Sequence, residues 1–166
     1  MINSTHKFAR GFTMIELIMV IVILGILSAV ALPRFANLGK DARISSIAGI
    51  EAGIRSAIKI SRAVMFVEQK NDKALTETID LDGVDVDMVF GSPAATLAGI
   101  AAAANMESGS DLTVLAAGST LIATFKDNQA GNCHVLYSQA SCSADNGTIC
   151  TGVVTEPTIQ VVTSDC

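Results

Sequence analysis

The rhythm of apolar positions divides this 166-residue chain into stretches that call for different structures. From Phe12 to Leu32 almost every position is apolar and Glu16 is the only charge, a run of about 20 residues, enough for a helix across roughly 30 Å of hydrocarbon. Beyond Pro33 the apolar run gives way to a helical period that continues to about Phe66. Ile47, Ile50, Ile54 and Ile58 form one stripe, Ser45, Gly49, Gly53 and Ala57 form a ridge of small residues beside it, and Glu51, Arg55, Lys59 and Arg62 take the opposite side. The pattern predicts an amphipathic helix lying on a sheet, with the small ridge letting backbones approach closely inside the domain. Gly49 and Gly53 spell G-x-x-x-G, but outside the membrane-length run, so intradomain packing is expected of them instead of membrane dimerisation. Pro33 removes one backbone hydrogen bond and is expected to kink this helix without ending it, because apolar periodicity continues on both sides.

From Gln69 to Gly91 the helical period is lost and the chain reads as a connecting region. Within it, Ile79 to Asp87 alternates apolar and acidic residues, which suggests a short strand or extended turn with one acidic face; the ligand order of an EF-hand is missing. Ser92 followed by Pro93 reads as an N-cap and first helical turn, predicting a short helix over Ala94 to Ala104 that ends near Asn105. Strands are expected at Leu112 to Leu115, Thr120 to Lys126, Cys133 to Ser138 and Thr158 to Thr163, with turns at Gly118, 128–131, Asn146-Gly147 and Pro157. The fold class is α+β: a long N-terminal helix packed on an antiparallel sheet of about four strands.

Cysteine placement fixes the compartment. All four, Cys133, Cys142, Cys150 and Cys166, fall in the last 34 residues, an arrangement that reads as two disulfides in an oxidising environment. Of the three possible pairings, the nested one, Cys133–Cys166 with Cys142–Cys150, suits a hairpin that brings those ends together. A four-thiolate zinc site would want C-x-x-C pairs, and there are none. Charge is uneven: residues 34–73 hold eight bases against four acids, whereas residues 74–166 hold eleven acids and only Lys126 as a base. A basic stalk and an acidic head can attract each other between neighbouring copies, although solvated faces would show the same pattern.

The segment Arg10-Gly11-Phe12-Thr13-Met14-Ile15-Glu16-Leu17 resembles the class III signal of type IV pilins and pseudopilins. Other motifs look like those of mannose-sensitive haemagglutinin pilins: Pro33-Arg34-Phe35-Ala36-Asn37-Leu38, Asp41-Ala42-Arg43-Ile44-Ser45, Gly91-Ser92-Pro93-Ala94-Ala95-Thr96, Cys133-His134-Val135 and Thr163-Ser164-Asp165-Cys166. Cys142 and Cys150 look like an addition to that family's usual C-terminal pair. The resemblance implies a pilin fold with a leader over residues 1–11, a transmembrane and filament-core helix over 12–33 and a head domain over 34–166. It implies cleavage between Gly11 and Phe12 by a prepilin peptidase, N-methylation of Phe12, and pairing of Glu16 with the Phe12 ammonium of an adjacent subunit. Gly25 and Pro33 fall where that family's helix is weakened. The implied partners are further copies of the chain, the prepilin peptidase, the inner-membrane assembly machinery and an outer-membrane secretin. The implied locations are the bacterial inner membrane, with the head in the periplasm, and then an extracellular pilus.

Other readings of the N-terminus exist. Lys7 and Arg10 before an apolar run also describe a secretory signal, and Ala29-Val30-Ala31 offers a small-x-small cleavage site, but the run is long for such a signal and contains Glu16. A minor pilin, a secretion pseudopilin, or an exported or membrane-anchored binding domain would share parts of the pattern. No nucleophile elbow, phosphate loop or metal motif occurs, so no enzymatic activity, cofactor or metal is expected. The acidic head also lacks the basic footprint that nucleic-acid binding requires. His134 sits in an apolar strand beside a cysteine and reads as structural, and Asn146-Gly147-Thr148 reads as a turn before it reads as a glycosylation sequon.

Overall fold

The computed structural model describes residues 11–109, 111–126 and 131–166. Lys7, Arg10 and the rest of the leader before Gly11, together with the turn expected at 128–130, lie outside them. One helix, α1 (Met14–Val67), contains both the apolar run and the amphipathic stretch, with Pro33 inside it. The chain divides into two compact units, the first ending at Gly39 and the second comprising Lys40–Cys166.

In the first unit α1 buries none of its large apolar side chains among the described residues: Leu17, Ile21, Leu24 and Leu27 are more than half exposed. This part of the helix is long and apolar enough to cross a membrane.

In the second unit α1 lays one face on β structure, at the i, i+3/i+4 spacing that keeps residues on a single side of a helix. Ile47, Ile54 and Ala57 are buried against a sheet of four antiparallel strands, β4 (Leu112–Ala117), β5 (Thr120–Phe125), β6 (His134–Ser138) and β9 (Thr158–Val162), with Ile50 and Ile58 partly buried beside them. Register sets that sheet's inner face: Val114, Ala123, Val135 and Val161 form one rung, and Ala116, Leu121, Tyr137 and Ile159 the next rung on the same side. Farther along α1, Met65 packs with Ile79, Val86 and Met88 from a second sheet made of β1 (Glu77–Leu81), β2 (Val84–Val89) and β3 (Ser92–Pro93). A third cluster joins Val89, Phe90 and Ala94 to Ala140 and Cys150 near the pair β7 (Ser141–Cys142) and β8 (Val154–Thr155).

The four expected strands are present, but the structure departs from the sequence reading at three places. The presumed connecting region folds into a hairpin, β1–β2, closed by Asp82 and Gly83, both at positive φ (52° and 85°), the geometry of a tight two-residue turn. Ser92 and Pro93 do not start a helix: both are buried in β3, paired with Val89 and Met88. The helical turn begins later, with Thr96 as its N-cap, and its backbone over Leu97–Ala101 is kinked at Gly99, whose φ and ψ (−96° and −109°) are not helical. Gly99 permits this turn, because a Cβ there would lie 2.3 Å from the Ala94 carbonyl oxygen. Finally, the small ridge on α1 packs only through Ala57. Gly49 and Gly53 are exposed, and a Cβ on either would meet nothing within 4 Å, so they allow no close approach inside the domain.

Candidate functional site

The candidate site is built on the first turn of α1. Gly11, Phe12 and Thr13 precede the helix in irregular backbone, and Phe12 is 86% exposed. Thr13 fills the capping role that four unpaired backbone N–H groups demand at a helix start: its Oγ1 accepts from the Glu16 N–H at 3.3 Å. The same hydroxyl lies 3.4 Å from Glu16 Oε2 and donates to it, so Thr13 both caps the helix and hydrogen-bonds the Glu16 carboxylate. A carboxylate in the first turn is also favoured by the positive end of the helix dipole. Among the described residues no cationic side chain pairs with Glu16. Its surroundings are instead the exposed side chains of Phe12, Ile15 and Leu17, a surface with no aqueous role. Gly25 and Pro33 both lie within continuous α1, and Gly25 faces open space.

At the other end of the chain, the structure joins Cys133 to Cys166 (Cα–Cα 4.9 Å) and Cys142 to Cys150 (5.8 Å). The first bond anchors the chain's last residues to the start of β6, where Asn132 Nδ2 also donates to Asp165 Oδ2 at 2.7 Å and Arg43 of α1 donates to the Cys166 carbonyl oxygen at 3.3 Å. The second bond closes a loop whose turn is held by Asn146, whose Oδ1 accepts from Thr148 and Ile149 N–H groups. The Asn146 side chain is thus part of the turn. His134 sits on β6, with Nδ1 3.4 Å from the Gly131 carbonyl oxygen. Among the described residues no group of three or more His, Cys, Asp or Glu side chains is arranged to hold a metal ion.

Two interactions that position the head have no local sequence signal, because their partners are far apart in the chain. Arg62 donates to the Gly91 carbonyl oxygen, to Ser92 Oγ and to the Glu156 carboxylate, linking α1 to β3 and to the segment between β8 and β9. Tyr137, fully buried on β6, donates to the Pro93 carbonyl oxygen at 2.6 Å. Burial pushes its phenol well above the ordinary tyrosine range, and the nearby Arg62 cation offsets this only in part.

Comparison with known proteins bears on the N-terminal site first. Residues 6–32 match the prokaryotic N-terminal methylation motif. The chain is 49% identical over 53 residues to the type IV narrow pilus major component PilA5 of Thermus thermophilus, covering 32% of this chain and 46% of that one. It is 35% identical over 79 residues to a fimbrial protein of Moraxella nonliquefaciens, covering 46% of this chain and 47% of that one. It is 45% identical over 53 residues to the type IV major pilin protein PilE1 of Neisseria gonorrhoeae, covering 32% of each. The matches thus span less than half the length of these relatives. No solved structure matches the chain. The chain is thus similar to type IV pilins, with the methylation motif laid over an apolar, acid-bearing helix that leads into a helix-on-sheet head with two disulfides.

Proposed function

We propose that the protein is the structural subunit of a type IV pilus, polymerising through the N-terminal part of α1. The observation that carries this reading is a methylation motif laid over a membrane-length helix whose large apolar side chains are all exposed and whose single carboxylate, Glu16, is capped by Thr13 but has no cation among the described residues. In this mechanism a prepilin peptidase cuts between Gly11 and Phe12 and the new amine is methylated. Residues 12–33 then hold the subunit in the inner membrane while the disulfide-bonded head, residues 34–166, occupies the periplasm. The assembly machinery extracts the subunit, the helices form the filament core, and the filament leaves through an outer-membrane secretin. Glu16 faces the Phe12 ammonium of a neighbour, where each charge replaces the water the other has lost. Gly25 and Pro33, weak helix formers, allow the segment between them to loosen as the core packs.

The finer reading is a major pilin of the mannose-sensitive haemagglutinin type, serving attachment to surfaces or cells. It rests on the short motifs in α1 and the head, and on a Cys133–Cys166 bond at the end of the chain.

The deciding experiment is intact mass and N-terminal sequence of surface-sheared protein, paired with Glu16→Ala. The expected product starts at N-methylated Phe12 and is lighter than the reduced chain by the hydrogens lost in two disulfides. Glu16→Ala should sharply reduce sheared filaments while leaving the head folded. A product starting at Leu32, or wild-type piliation in the variant, defeats the reading.

A further inference from the structure

The two most exposed large apolar side chains of residues 40–166, Phe66 (85%) and Val67 (77%), line one cleft. The cleft holds about 1020 Å³ between the end of α1, the loop that follows and the segment entering β8, with the buried Met65 and Phe90 among its lining residues. On one wall Arg62 and Glu156 neutralise each other, which leaves Lys70 and Lys73 against Asp72. Lys70 approaches Glu77 only at 4.0 Å, and Lys73 has no ion pair among the described residues. An exposed apolar patch rimmed by charge is the signature of an interaction site.

The complement lies elsewhere on the same chain. The β1–β2 turn projects Val84, 48% exposed, beside Asp82 and Asp85. Asp80 and Asp85 stand directly opposite each other across the hairpin, and like charges so placed are destabilising when left alone. None of the three aspartates has an ion pair among the described residues. An apolar tip flanked by unpaired carboxylates thus matches, in both hydrophobicity and charge, an apolar cleft flanked by lysines.

We infer that the cleft at the end of α1 receives the β1–β2 turn of a second copy of this chain, Val84 meeting Phe66 and Val67 while Asp82 and Asp85 face Lys70 and Lys73. The inference rests on the filament reading above and adds a head-to-head contact to the helix packing proposed there. Because the two surfaces are different, the contact is heterologous, and it propagates along an open filament where a self-complementary patch would close a dimer. Its charges set register and partner choice more than affinity, which suits a subunit already concentrated by its membrane anchor.

Charge exchange tests it in cells that assemble the full chain. Lys73→Glu and Asp85→Lys should each lower the yield of sheared filaments by about tenfold or more, because like charges then face each other across the contact. Mature, disulfide-bonded subunit should persist in the membrane at wild-type levels, and the double variant should recover most of the lost filaments. Single variants that assemble like wild type, or a double variant no better than the singles, overturn the contact. Zero-length carbodiimide coupling of wild-type filaments gives a reading independent of any variant's folding. It should join Lys70 or Lys73 of one subunit to Asp82 or Asp85 of another, identified by mixing isotopically labelled with unlabelled subunits; links confined to single subunits overturn the contact. Failure of the wild-type chain to form filaments defeats the filament reading together with the contact, and is seen before any variant is made.

Discussion

Tyr137→Phe removes a single oxygen from the interior of the head, and its consequences can be worked out at two pH values. The phenol is fully buried, and its hydroxyl donates to the Pro93 carbonyl oxygen at 2.6 Å, tying β6 of the four-stranded sheet to β3 of the other. Leaving a buried acceptor without its donor costs about 1–3 kcal/mol. At neutral pH the variant should therefore melt lower by roughly 4–11 °C for a unit of this size. Alkali reverses the comparison. Burial raises the folded-state pKa above the unfolded one, so above about pH 10 the unfolded chain gives up the phenolic proton while the folded chain keeps it. The folded state then binds more protons, and stability falls with rising pH by up to about 1.4 kcal/mol per unit. The Phe variant has no such slope, and lysine titration common to both proteins cancels in the difference. The gap between wild type and variant should thus shrink by about 1.4 kcal/mol at pH 11 relative to neutral pH. Tyr137 is the chain's only tyrosine, and there is no tryptophan, so tyrosinate absorbance reports this one group without interference. Ionisation of the phenol in the folded protein near its ordinary pKa, or a gap that stays constant through the alkaline range, would refute the reasoning.

The packing of α1 predicts opposite signs on its two faces. Ile54→Ala, in the closed core, should cost about 2–5 kcal/mol in denaturant unfolding of the detergent-solubilised subunit, whereas Gly49→Ala and Gly53→Ala, with nothing near the added methyl, should each stabilise it by about 0.5–1 kcal/mol. Destabilisation by either alanine would mean that the glycines are packed after all. Replacing Cys133 and Cys166 by alanine removes a cross-link of sequence separation 33 and should cost about 3–4 kcal/mol. The same change at Cys142 and Cys150, separation 8, should cost about 2–3 kcal/mol. Equal losses in thermal scans would show that chain entropy is not what separates the two bonds.

What the sequence revealed follows from the range of the forces involved. The long helix, its stripe at Ile47, Ile50, Ile54 and Ile58, and strands at 112–115, 120–126, 133–138 and 158–163, each within a few residues of the observed bounds, were legible because periodicity is written locally. The β1–β2 hairpin was fully written in the sequence: the alternation from Ile79 to Asp87 is centred on Asp82-Gly83, a pair that favours the two positive-φ residues of a tight hairpin turn. Ser92-Pro93 misled because an N-cap signal is a local preference, and here pairing with Val89 and Met88 and burial against the core overrode it. The ridge at Gly49 and Gly53 misled differently. A wheel places residues around a helix but does not say which arc the sheet covers, and the sheet covers the isoleucine arc and reaches the ridge only at Ala57. Arg62 and the cleft near Phe66 were invisible because their partners come from β3 and the β8 segment, joined only by the fold.

The exposed residues of α1 carry an argument about energy that needs no partner structure. From Phe12 to Phe35 the helix offers the solvent Leu, Ile, Val, Met and Phe on every side, a surface that water penalises at roughly 25 cal/mol per Å². Lipid removes that penalty without favouring any neighbour, since hydrocarbon tails are as apolar as leucine. Helix packing therefore gains little while the segment stays in the bilayer and gains the full hydrophobic term once lipid is withdrawn and the alternative is water. On the filament reading proposed above, such a subunit is stable as a membrane monomer and as a polymer but not as a free molecule between the two, so assembly has to couple extraction directly to docking. The groups that specify docking then have to be polar, because apolar surface alone cannot select a register. On that reading Glu16 at the first turn is such a group, and the Thr13 hydroxyl hydrogen-bonds its carboxylate until a cation arrives.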